Sequence, residues 1–245
     1  MAFLLVSALL FAASAAATVA WCVSMSGMGG MPMPGGWTMS MAWMRMPGQT
    51  WPGFAGSFLG MWVVMMVAMM LPSLVPGLWR YREVGLGRLT ALVGGGYFLV
   101  WTLFGMAAFS LGVGLTTLAT QQPALARATP VAAGVVVLIA GAYQLTAWKA
   151  RDLASCRAEH GRGCMLPADP GTAWRHGLRL GFHCSRCCAG LMVILLVIGV
   201  MDLRVMAAVA AAITIERLAP AAERVARATG VVVVGAGFYL IGSAL

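Results

Sequence analysis

Seven runs of apolar residues, separated by short polar segments, set the organisation of the chain. They cover roughly 3–22, 57–79, 89–114, 129–148, 182–201, 204–219 and 229–244. A helix needs about 20 apolar residues to cross the hydrocarbon core of a bilayer, where its own turns must satisfy every backbone N–H and C=O. The pattern predicts an all-α fold, a polytopic transmembrane helix bundle of about seven spans. The sixth run is short, and little more than "MDLR" parts it from the fifth. The first run, "MAFLLVSALLFAASAAATVA", also has the small-residue character of a signal peptide, whose removal would leave about six spans; no basic residue precedes it.

Between the runs lie two segments of unusual composition. Residues 23–56 form an outer loop rich in Met, Gly and Pro, and 149–181 a polar loop that carries cysteine and histidine. The chain thus divides into an N-terminal transmembrane helix or signal (1–22), the outer loop, spans two to four (57–148), the Cys/His loop and spans five to seven (182–245). Long loops in compact helical proteins are usually functional or disordered. The glycines Gly94, Gly95, Gly96, Gly235 and Gly237 fit as small residues that let helices approach closely.

Composition agrees with the pattern: 61% of residues are hydrophobic, 9% are charged and the mean hydropathy is +0.88. The formal charge of +9 does not signal nucleic acid, because the basic residues sit in short connectors rather than on a water-facing domain. Twelve of the 16 Lys and Arg fall in 80–88, 149–181 and 217–228, which alternate with poorer connectors. By the positive-inside rule, this places the N-terminus and the rich connectors in the cytoplasm of a bacterial inner membrane, and the C-terminus outside.

Three constellations are candidates for chemistry. In "RHGLRLGFHCSRCC", helical geometry of about 100° per residue puts His176, His183 and Cys187 in one stripe, with Cys184 and Cys188 on its flank, at the mouth of the fifth span. Thiolate and imidazole suit copper(I), with zinc or another soft divalent ion as the alternative. The plain competing use is a packed apolar face, since free cysteines behave as small hydrophobes. Just upstream, Cys156, His160 and Cys164 are spaced by four and would share a helix face, although Gly161 and Gly163 argue against a continuous helix. A reducing cytosol disfavours disulfides for these thiols.

Methionine is the third constellation. Residues 23–46 hold eight methionines, among them Met28, Met31 and Met33, and along the second run Met65 and Met69 continue a stripe begun by Met61. A thioether needs no deprotonation and is soft, so clustered outer Met favours copper(I) over zinc. The alternatives are an apolar flap for the loop and adaptable packing for the span. Glu216, an acidic residue within an apolar run, is a ligand, a proton relay, a partner for Arg186, or a snorkelling group paired with Arg217. No nucleophile with a base and no phosphate-binding loop occurs, so the sequence leans away from an enzyme.

The segments "WMRMPGQTW", "FLGMWVVMMVAMMLP", "AGAYQLTAWKARDLASCR", "GFHCSRCCAGLM" and "MDLRVMAAVAAAITIERLAP" resemble a bacterial family described as predicted metal-binding integral membrane proteins. The resemblance spans nearly the whole chain and implies that Cys156, Cys184, Cys187, Cys188 and Glu216 are family features. Two positions depart from the family pattern: Asp152 stands where a further cysteine is usual, and Ala189 where an aromatic residue commonly follows the cysteines. Taken together, the expectation is a membrane copper-handling protein with the lipid bilayer and a metal ion as partners, and a metalloprotein acceptor or a second copy beside them. A thiol–disulfide redox protein and a non-metal assembly partner of a membrane enzyme are the alternatives.

Overall fold

The computed structural model describes the chain except residues 1, 28, 84 and 162–168 and the side chains of 159–161. Its helices are α1 (Ala2–Gly27), α2 (Trp51–Glu83), α3 (Thr90–Gln121), α4 (Pro123–Gln144), α5 (Ala147–Gly161), α6 (Pro170–Ile198), α7 (Leu203–Leu218) and α8 (Ala222–Ala244). Six of them, α1 to α4, α6 and α8, are long and apolar enough to cross a membrane. The expected sixth span is α7, which at 16 residues is about 24 Å long and falls short of the hydrocarbon thickness.

Two of the expected loops are structured. Within 23–56 an antiparallel hairpin forms from β1 (Gly30–Met33) and β2 (Trp37–Ser40), turned by Gly35 and Gly36 at φ of 102° and 75°. It docks on the α3–α4 corner, where the Trp37 indole donates to the Ala126 carbonyl at 2.9 Å. Within 149–181, α5 runs to Gly161 and α6 begins at Pro170. The start signal is local: the Asp169 side chain accepts from the Thr172 N–H at 3.0 Å, and Pro170 opens the first turn, where its missing N–H costs nothing. That bond to Thr172 also holds the exposed Asp169 carboxyl below its ordinary value. The "HCSRCC" stretch lies about 20 Å along α6.

Glycine sets how closely the helices approach. A Cβ on Gly177 of α6 would collide with the Val93 carbonyl of α3, and one on Gly96 would come within 2.7 Å of the Trp174 carbonyl. Gly134 and Gly141 of α4 face Gly237 and Val234 of α8 in the same manner. Gly94 and Gly235, expected in this role, have open space around them, so the close approach falls on their neighbours.

The bundle is arranged inside out relative to a water-soluble protein. Its outer surface carries exposed Leu5, Leu9, Leu111, Leu115, Val232 and Tyr239, while Lys149, Glu216, Arg217, Gln144 and Ser73 are buried. A buried charge requires compensation close by, and these five residues are where the bundle supplies it.

Candidate metal centre

Three thiols come from a single helix. Cys184, Cys187 and Cys188 occupy positions i, i+3 and i+4 of α6, which puts them on one face, and they are 0%, 1% and 2% exposed. Their sulfur atoms all lie within 4.8 Å of one another. Cys184 and Cys188 are 3.8 Å apart, and Cys187 and Cys188 3.6 Å. A fourth thiol, Cys156 on α5, is buried against them. Its hydrogen bonds with Cys184 and then Cys187, followed by burial, push the Cys156 thiol well above the ordinary cysteine value. No disulfide joins the five described cysteines, Cys22 on α1 included.

Several helices converge on Cys184. The Tyr97 hydroxyl of α3 donates to its Sγ at 3.0 Å, and the Arg217 guanidinium of α7 donates to the same sulfur at 3.2 Å. Arg217 also donates to the Ser73 hydroxyl of α2 at 2.6 Å. A buried cation thus stands where metal-bound thiolates would place negative charge.

A second polar set stands behind the thiols. Lys149, at the start of α5, donates to the Cys187 carbonyl at 2.5 Å and to Glu216 Oε2 at 2.7 Å. Gln144 at the end of α4 donates to the other carboxylate oxygen at 3.0 Å. Lys149 and Glu216 neutralise each other, and the Arg217 guanidinium faces the sulfurs. The α7 C-terminus is held in place as well. Its last carbonyls have no partner within the helix, and Arg157 of α5 donates to those of Arg217 at 3.1 Å and Ala219 at 2.5 Å.

Among the described residues, the other expected ligands do not join this cluster. His183 and His176 lie on the flank of the cysteine face, both half-buried, with the His183 ring against Phe182 and the His176 ring against Tyr81. The most buried face of α6 is centred on the three cysteines, with the two histidines to one side of it. Cys164 and Met28 lie outside the described residues, as does the side chain of His160. Met31 is exposed on the hairpin, and Met33 is buried at its foot beside Met39, Ala119 and Ala126. Met65 and Met69 are 1% and 2% exposed on α2, in four-residue steps that lead to Ser73.

Pairing of the charges also differs from expectation. Arg186 is 55% exposed and forms its ion pair with Asp152, at 2.9 Å, instead of with Glu216. Asp152 additionally accepts from the Tyr143 hydroxyl at 2.9 Å. The Asp152 carboxylate is therefore engaged in a surface pair rather than offered to a metal. Tyr97, Ser73, Lys149 and Arg217 were not singled out from sequence as site residues. Arg217 carried the best signal, as a cation adjoining Glu216 at the end of an apolar run.

Residues 59–240 match the family model of PpoB2, described as a copper chaperone. No curated protein and no solved structure matches the chain.

Proposed function

The chain belongs to the PpoB2 copper chaperone family, and from that premise we propose that it is an integral membrane protein that holds copper(I) at Cys184, Cys187 and Cys188 and passes it to a metalloprotein acceptor. The observation that carries this is the buried group of three thiols whose sulfurs lie within 4.8 Å of one another. Copper(I) is soft and well served by thiolates. Loading replaces thiol protons: two cysteines bind one copper(I) ion and release two protons, leaving a bis-thiolate complex of charge −1. Arg217 offsets that charge in a medium where an unbalanced one would be costly.

Cys156, which bonds to the cluster from α5, supplies a further thiol for ligand exchange. Met65 and Met69 on α2 supply thioethers on the side from which Ser73 reaches Arg217. The inside-out surface supports residence in a bilayer, and the sided distribution of Lys and Arg supports the bacterial inner membrane with the N-terminus inside and the C-terminus outside. That topology needs an odd number of crossings, so α7, shorter than the hydrocarbon is thick, would have to cross where the bilayer thins around it.

Anaerobic titration of the detergent-solubilised protein with copper(I), against a chromogenic copper(I) chelator, tests the reading. Competition for the metal is expected, and a chelator that keeps all the copper would contradict it. The same titration checks Arg217. Residues that support a ligand from outside the coordination sphere contribute about 10- to 100-fold to metal affinity. Arg217→Met is expected to weaken copper by that factor, and Arg217→Lys to recover part of it.

A further inference from the structure

At the end of the bundle away from the thiols, a cavity of about 160 Å³ lies between the end of α1, the segment 41–49, the start of α2 and the α6–α7 turn. Six methionines line it: Met25, Met41, Met44, Met46, Met61 and Met201. All but Met61 are half-buried, so their thioethers are reachable from outside. Methionine used as packing filler closes space; here the side chains surround space that stays open.

The remaining wall narrows the choice of occupant. Its polar side chains are Gln49 and Ser57, and their bonds stay within the wall: Gln49 Nε2 donates to the Ser57 hydroxyl at 3.3 Å, and Gln49 Oε1 accepts from the Met46 N–H at 3.3 Å. Among the described residues, no carboxylate and no histidine lines the cavity. Arg45, the nearest cation in sequence, is turned onto the Trp51 ring at 5.1 Å and the Gln49 carbonyl at 3.0 Å. Asp202, next to Met201, caps α7 by accepting from the Arg204 and Val205 N–H groups. What faces the cavity is therefore sulfur, with the rings of Trp21, Phe54 and Phe58 around it, a wall that suits a soft monovalent cation and offers nothing to a hard divalent one.

We propose that this cavity is a second copper(I) site, a thioether docking station distinct from the thiol centre. The proposal rests on the copper reading above and adds where the ion waits before or after the thiols. Met61 belongs both to the cavity wall and to the α2 stripe. From Met61 through Met65 and Met69 to Ser73, the helix advances about 18 Å, and Ser73 contacts Arg217, which contacts Cys184. Buried thioethers thus line the α2 face between the two sites.

Silver(I) is a redox-inert probe for both sites. The full-length protein in detergent, labelled at the methionine methyl groups with carbon-13, is to be titrated with silver(I) and followed by NMR. The expected result is displacement of the Met41, Met44, Met46 and Met201 signals, with Met31 and Met33 unmoved. This response is expected to persist when Cys184, Cys187 and Cys188 are all serine. It is expected to be lost in Met44→Leu/Met201→Leu, a nearly volume-conserving change that leaves silver at the thiols. Unmoved cavity signals while silver still binds the thiols would overturn the docking station and leave the copper reading intact. Displaced cavity signals without any binding that depends on the cysteines would overturn the thiol centre and keep the cavity site.

Discussion

Serine at all three of positions 184, 187 and 188 is expected to lower copper(I) affinity by more than the roughly 100-fold that loss of a supporting residue costs, because it removes the ligand atoms themselves. The hydroxyl is smaller and harder than the thiol, and the oxygens would lie in a pocket where Tyr97 and Arg217 already donate to Cys184. They would remain hydrogen-bonded but bind a soft ion poorly. Equilibrium competition with the chromogenic chelator measures the change, and circular dichroism with heating establishes that the variant is folded. The corresponding alanine variant separates ligand loss from misplaced hydroxyls, since alanine also removes the ligand but introduces no polar group. Both are expected to lose copper equally, and an affinity unchanged in either would place the metal elsewhere.

The second large effect concerns stability. Lys149 and Glu216 are 1% and 2% exposed and 2.7 Å apart. Removing one partner of a buried ion pair leaves an uncompensated charge and costs about 3–5 kcal/mol. Glu216→Ala is therefore expected to destabilise the fold by that amount, strip Gln144 of its acceptor and free Lys149 to shift from the Cys187 carbonyl. The double variant Lys149→Met/Glu216→Gln is expected to regain most of the loss, because it leaves no charge unpaired. Thermal or denaturant unfolding in detergent distinguishes the two. A single variant as stable as the parent would mean that the pair contributes nothing to the bundle.

Most of the architecture was legible in the apolar runs, because a helix in hydrocarbon must be long and nearly free of charge. The exceptions have identifiable causes. The polar composition of 149–181 concealed α5 and the first turns of α6, whose start is written only in the short "DPGT" signal of Asp169, Pro170 and Thr172. The hairpin in 30–40 depends on docking against α3 and α4, which no local pattern reveals.

Within the site, the cysteine spacing on α6 was readable because it is local to one helix. The charges around it were not. Arg217 and Lys149 looked like ordinary connector cations, and only the packing of α7 and α5 against α6 carries them into the core beside Cys184 and Cys187. Arg186 lies within the cysteine motif, yet it points outward to Asp152, because the three thiols occupy the buried face. The methionines divide in a similar way. Met31 and Met33 belong to the hairpin, whereas the cavity draws on Met25, Met41, Met44 and Met46, together with Met61 and Met201 from distant segments.

X-ray absorption at the copper edge of the protein loaded with one equivalent of copper(I) tests the central claim most directly. A first coordination shell made of sulfur alone, present in the parent and abolished when Cys184, Cys187 and Cys188 are replaced, is the predicted result. A shell dominated by nitrogen or oxygen, or a sulfur shell indifferent to those three cysteines, would contradict it.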